Sequence, residues 1–245
     1  MNDVTPPTEH LPAPRDSGSE LNRDVSQSAS RAQEIRLGFA HLHAVDPVLA
    51  ALIDKRPDYD ADAWRLTLPA TDLFGSLVSQ IIGQQISLKA AGAILGRLSG
   101  KFDGRIPNPQ ELGQLDEQTL RDLGLSWRKA RTMRDLAARF ADGRLSEARL
   151  SELPDERILE ELTQIPGIGP WTVHGALLIA LHRGNVVPTG DIMLRSAVKK
   201  YYQLERLPSE AEFREIANAW TPYGSLGVNL LFAAVELEAN TDARV

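Results

Sequence analysis

The stretch that decides the fold opens as Leu162-Thr163-Gln164-Ile165-Pro166-Gly167-Ile168-Gly169-Pro170-Trp171 and closes as Val187-Pro188-Thr189-Gly190-Asp191. Ile158, Leu159, Leu162 and Ile165 recur at helical spacing and stop at Pro166. Pro166-Gly167 suits the two central positions of a type II turn, where glycine supplies the positive φ. Pro170 suits the first turn of a new helix. Val173, Ala176, Leu177, Ala180 and Leu181 then form one apolar stripe. The pattern is a helix, a tight glycine hairpin and a second helix. With little side chain in the hairpin, its N–H groups lie open beside the positive end of the second helix, which suits a phosphate. An ordinary corner between two helices, with no ligand, has the same local pattern.

The segment after the second helix adds a carboxylate. A second helix of a dozen residues is about 18 Å long. The residues from Arg183 to Gly190 span roughly 26 Å if extended, and Val186-Val187 reads as a short extended run. The chain can therefore return Asp191 to the level of Trp171, beside the hairpin. A phosphate site, an indole and a carboxylate then share one region.

These residues resemble the helix-hairpin-helix DNA glycosylase superfamily. Upstream, Ser79-Gln-Ile-Ile-Gly-Gln-Gln-Ile-Ser87 and Leu120-Arg-Asp-Leu-Gly-Leu-Ser-Trp-Arg-Lys-Ala130 are similar to its alkylation-repair branch, the 3-methyladenine DNA glycosylase II family. The resemblance implies a mainly α-helical, two-lobed fold with a cleft between the lobes. One lobe is expected at about 71–188, with the hairpin at 158–182, and the second from 31–70 plus 189–245. There is no room for the N-terminal sheet domain that some relatives carry.

The 245 residues suffice for a substantial core, with 42% hydrophobic and 24% charged residues. No apolar run approaches a membrane span and the start lacks a signal pattern, so a cytoplasmic protein is expected, nucleoid-associated in a bacterium. Zero cysteines exclude disulfides and a cysteine-ligated iron–sulfur cluster. The net charge of −6 argues against a nucleic-acid partner, but its distribution does not. Residues 1–30 contribute −3 and residues 121–144 contribute +4. The second run reads either as a local phosphate-binding face or as a solvated helix surface.

Residues 1–30, rich in Pro, Ser, Asp and Glu, read as a disordered tail. Helices are expected around Ile35–Val45, from Val48, through Asp72–Leu98 with an interruption at Gly83-Gln84-Gln85, within 109–122, over Arg128–Phe140, after Asp191, and over Glu210–Trp220 and Leu226–Leu237. Trp64–Leu68 alternates as one short extended segment.

Removing a base from DNA breaks a C1′–N bond and leaves an oxocarbenium-like sugar, as in glycoside hydrolysis. A fixed carboxylate stabilises that cation. The resemblance assigns this role to Asp191; its plain alternative is a helix N-cap, and the two are compatible. The base must first be flipped into a pocket. Alkylated purines carry positive charge, which favours an aromatic face. Trp171 fits that wall, against the alternative of a core tryptophan, and Trp127 or Tyr223 offers a second. Gly175, one turn beyond Trp171, stands where some bacterial relatives carry another aromatic, which predicts a more open pocket. Gln85 aligns best with the residue that fills the gap left by the flipped nucleotide, with Gln84 and Ile86 as neighbours in register. Gly167 and Gly169 would offer amides to a phosphate, and Arg128 and Lys129 of the basic run are further candidate DNA-binding residues. No side-chain metal site and no cofactor are expected; relatives hold a monovalent cation on hairpin carbonyls. Strand-cutting relatives place a lysine at the Trp171 position to form a Schiff base. This chain has no lysine between Lys129 and Lys199.

The reading is a monofunctional DNA glycosylase for alkylated bases, a monomer acting on damaged double-stranded DNA with no membrane partner. The alternatives are a non-catalytic helix-hairpin-helix DNA-binding module, and a glycosylase for mismatched or oxidised bases.

Overall fold

Cap residues set most helix boundaries in this chain. The computed structural model describes residues 17–60 and 72–242, with side chains over 31–60 and 72–237. All regular structure among them is helical. The chain divides into a unit up to Leu37 and a unit from Gly38 onward, and the second carries the core and the candidate site. The first helix, α1 (Ser17–Val45), begins upstream of Arg31, where the sequence placed the start of the fold. Residues 19–30 hold neither proline nor glycine, so nothing in the backbone stops a helix there. The rest of the expected tail and the extended segment at Trp64–Leu68 lie outside the described residues.

Asp46 ends α1 and starts α2 (Pro47–Asp54), accepting from Val48 N at 2.9 Å and Leu49 N at 3.1 Å. Asp72 caps α3 (Leu73–Gly83) and Ser87 caps α4 (Leu88–Ser99). Asn108 and Ser209 head the capping boxes of α5 (Pro109–Gln114) and α12 (Glu210–Asn218). Between them run α6 (Glu117–Asp122), α7 (Trp127–Ala141), α8 (Glu147–Ser151), α9 (Asp155–Thr163), α10 (Pro170–Ile179) and α11 (Ile192–Tyr201), and α13 (Gly224–Asp242) follows α12.

The helices pack in two sets. In the first, α3 lies against α4, α7 and α10; α7 also packs on α5 and α6, and α10 on α9. This explains why α3 is apolar almost all round: Leu73, Phe74, Leu77, Val78, Ile81 and Ile82 are all buried. In the second set α13 packs on α2, α11 and α12. Asp46, 5% exposed, anchors it. Its second oxygen accepts from Tyr202 Oη at 2.5 Å and Trp220 Nε1 at 2.8 Å. Burial and the neighbouring Asp46 carboxylate raise the Tyr202 pKa, so the phenol stays a donor. The two sets are the two lobes, and the site lies in the cleft they form.

Candidate active site

The hairpin joins α9 to α10. Ile168 N donates to Ile165 O at 3.0 Å and Gly167 takes φ 95°, which makes Ile165–Ile168 the expected type II turn. A Cβ on Gly167 would stand 2.1 Å from Thr132 Oγ1. Glycine is thus required twice over, for its φ and for the approach of α7. Thr132 Oγ1 donates to Pro166 O at 2.8 Å and fixes the hairpin on α7. Gly169 is the N-cap of α10 with no side-chain cap bond. The first amides of α10 therefore remain available to an anion.

The return to Asp191 differs in detail from the expectation. The second helix stops at Ile179: Leu181 N donates back to Ala176 O at 3.2 Å and His182 turns at φ 51°. Val186-Val187 forms no strand. Val186 N instead donates to Ser225 Oγ at 2.9 Å, and Gly224 N to Asn185 Oδ1 at 3.2 Å. The start of α13 thus holds the return segment. It delivers Asp191 as the N-cap of α11, where Oδ1 accepts from Met193 N at 2.8 Å and Leu194 N at 2.9 Å. Oδ2 is left over, and it accepts from Trp171 Nε1 at 2.7 Å. Trp171 is 44% exposed and is no core tryptophan.

Trp171 and Asp191 stand where two cavities meet. One is a pocket of about 570 Å³, whose walls include Tyr59, Gln80, Gly175, Asn229 and Phe232. That volume suits a small-molecule ligand. The other is an open groove running past Gln84, Gln85, Arg128, Gly167, Gly169 and Met193. Among the described residues, only Trp171 and Asp191 line both. Among the described residues, the charged side chains of the pocket lining are Asp60, Asp191, Glu236 and Arg56, whose guanidinium lies 4.6 Å from the Tyr59 ring centre.

Several expected site residues fall elsewhere. Trp127 is at the start of α7, 5.2 Å from the Arg121 guanidinium, and does not line the pocket. Tyr223 packs against His41 with ring centres 5.4 Å apart, also away from it. The further aromatic walls are Tyr59 and Phe232. Their sequence context gave no pattern: Tyr59 follows the end of α2, and Phe232 sits in a helix apolar on most faces. Nor is the space beside Gly175 open, because the Gln80 amide fills it.

At the α3–α4 turn the two glutamines separate. Gln84 turns inward: its Nε2 donates to Gly167 O at 3.0 Å and Thr172 Oγ1 at 2.9 Å, clipping this turn to the hairpin. It ties the two elements together from the wall of the groove. Gln85 is exposed and held at φ 57°, an uncommon backbone state for a non-glycine residue. Ile86 is exposed beside it in the turn. Lys129, expected at DNA, is 8% exposed. Its Nζ donates to Ile82 O at 2.8 Å and Gln84 O at 2.7 Å, satisfying the last carbonyls of α3. Burial, and then the nearby Arg128 charge, lower its pKa. In the basic run around it, three of the seven cations form local ion pairs, Arg131–Glu117, Arg139–Asp135 and Arg144–Asp142. Arg128 is exposed at the groove and makes no ion pair with a described residue.

Residues 78–222 match the family described as HhH-GPD superfamily base excision DNA repair protein. The chain is 32% identical over 192 residues to DNA-3-methyladenine glycosylase 1 of Schizosaccharomyces pombe, covering 78% of this chain and 83% of that protein. It is 35% identical over 170 residues to Bacillus subtilis YfjP, provisionally named a DNA-3-methyladenine glycosylase. That alignment covers 67% of this chain and 59% of YfjP, less than two thirds of its length. The solved structure of S. pombe 3-methyladenine DNA glycosylase in complex with abasic DNA is similar at TM-score 0.71 and 25% identity, over 79% of this chain and 94% of that one.

Proposed function

The chain belongs to the HhH-GPD superfamily of base excision DNA repair proteins, and from that membership we propose that it is a monofunctional DNA glycosylase releasing alkylated purines of the 3-methyladenine and 7-methylguanine type. The observation that carries this reading is the Trp171–Asp191 pair, bonded at 2.7 Å where the groove meets the pocket. Duplex DNA lies along the groove, with one backbone phosphate on the amides of Gly167, Gly169 and the start of α10. Arg128 adds a charge to the backbone. Gln85 enters the duplex and the damaged nucleotide turns into the pocket.

There the base stacks on Trp171. The face of the indole and the Asp191 carboxylate beside it both favour a cationic base. The C1′–N bond breaks with its electron pair going to the base, which leaves neutral because the pair cancels its charge. Positive charge moves to the sugar, beside Asp191. A water oxygen then bonds to C1′ and loses a proton to solvent. Both pocket walls come from one chain, so a monomer suffices.

A monovalent cation on the hairpin carbonyls is part of the same proposal. The donors are oxygen only, which suits a hard cation. Pro166 O and Gly167 O each already accept a side-chain hydrogen bond, leaving each a second lone pair. Such a cation would add positive charge under the phosphate.

The test is base release from duplexes that each carry one defined lesion. Release of alkylated purines, with intact uracil-, mismatch- and 8-oxoguanine-containing duplexes, is the expected result. Binding without release of any base would replace the proposal with a non-catalytic DNA-binding module. Release confined to oxidised or mismatched bases would move the substrate class.

A further inference from the structure

The pocket contains a polar group that this reaction does not use. Gln80 lies on α3, among buried apolar neighbours, and its side chain reaches the pocket wall. A Cβ added to Gly175 would stand 2.5 Å from Gln80 Cδ, 2.7 Å from Oε1 and 2.8 Å from Nε2. The carboxamide therefore lies against the bare backbone of α10 at Gly175. Trp171 and Gly175 are four residues apart on that helix and share a face. The amide thus sits one helical turn from the indole, and both line the same cavity. Gln80 makes no hydrogen bond with any described residue. Asn229, 7% exposed, lines the pocket from α13 in the other lobe and likewise has no side-chain partner among the described residues. Two carboxamides without a partner among the described residues thus line one cavity, where their donors and acceptors can meet the polar edges of a ligand.

We infer that Gln80 reads the edge of the flipped base and biases the protein toward adenine-type over guanine-type lesions; this rests on the glycosylase reading. A carboxamide offers one donor and one acceptor side by side. Adenine matches that pair on two edges, through N6–H with N7 or N6–H with N1. A guanine methylated at N7 has lost that acceptor: on the N7 edge it offers O6 alone, so there the carboxamide cannot pair both of its groups. Gly175 is what admits the amide to this position.

The experiment uses duplex DNA treated with a methylating agent, which carries 3-methyladenine and 7-methylguanine together. The two released bases are separated and measured from one reaction, against a control without protein. Gln80→Ala should lower the ratio of 3-methyladenine to 7-methylguanine roughly ten-fold, the scale of one bidentate base contact. Gln80→Glu should lower it further. A carboxylate only accepts, so it sets lone pairs against N1 and N7 of adenine but accepts from both N1–H and N2–H of guanine. Gly175→Ala leaves Gln80 in the chain and pushes its flexible amide aside, so it should reproduce the Gln80→Ala ratio. Wild-type protein that releases neither base would overturn the glycosylase reading and this inference with it. Release by the wild type, with a ratio unmoved in all three variants, would overturn the assignment to Gln80 alone.

Discussion

Asp191 divides its oxygens between two tasks, and that division decides how it can be tested. Oδ1 holds the first amides of α11 and Oδ2 faces the Trp171 indole. In Asp191→Asn the amide oxygen can keep the cap, but the NH2 group then meets the indole N–H, donor against donor. The expected loss of stability is that of one hydrogen bond, about 1 kcal/mol. The loss of rate should be much larger. A carboxylate about 4 Å from a unit positive charge, at an effective dielectric near 20, is worth roughly 4 kcal/mol. Single-turnover release should therefore fall by about two to three orders of magnitude while DNA binding persists. Near wild-type release would leave Asp191 a cap and nothing more. Trp171→Phe separates the indole's two contributions. It keeps a stacking face and removes the donor, so release should fall less than in Asp191→Asn.

At the scale of elements, Lys129 and Arg128 look alike in sequence and do different work. Lys129 ties off α3 from inside, and Arg128 faces the groove. Arg128→Ala should lower the slope of log K against log salt for duplex binding by about 0.9, as expected for one lost phosphate contact. Lys129→Met should leave that slope unchanged and lower the melting temperature, because two carbonyls lose their donor at about 1–3 kcal/mol each. A reduced slope in Lys129→Met would restore it to the DNA contacts. The helical period holds this distinction: Lys129, Met133, Leu136 and Phe140 share a face of α7, a phase that the charge of the lysine masks. Cap chemistry is local, since Asp46, Asn108, Ser126, which caps α7, and Ser209 act on amides two or three residues away. The capping-box glutamates can be titrated directly. Arg105 and Arg206 hold the Glu111 and Glu212 carboxyls down at about 2. A carboxylate with a depressed folded pKa contributes its stability in full above its unfolded pKa, about 4.3, and loses it as pH falls through the folded one. Carboxyl carbon shifts of both glutamates should therefore stay unchanged from pH 7 to about 4 and move only near about 2. Midpoints above 4 would show that the arginine pairs do not form in solution.

Over the whole molecule, the hairpin and Asp191 could be read from one contiguous stretch, because chain reach and turn chemistry are local. The pocket could not. Tyr59, Gln80 and Phe232 converge only through the way α13 of one lobe lies by α3 and α10 of the other, which no local pattern records. The same convergence leaves no lysine lining the groove or the pocket among the described residues. Borohydride should therefore trap no protein–DNA adduct during base release, and a trapped adduct would mean that another amine reaches C1′. Gln84 joins two parts of this surface that are 83 residues apart in sequence. Its single Nε2 spans the α3–α4 turn and the hairpin, so Gln85 and the amides at Gly167 and Gly169 sit at a fixed separation. Such a pair works as dividers set to one opening. On the proposed reading, a strand that seated a phosphate on one point would present a single nucleotide step to the other.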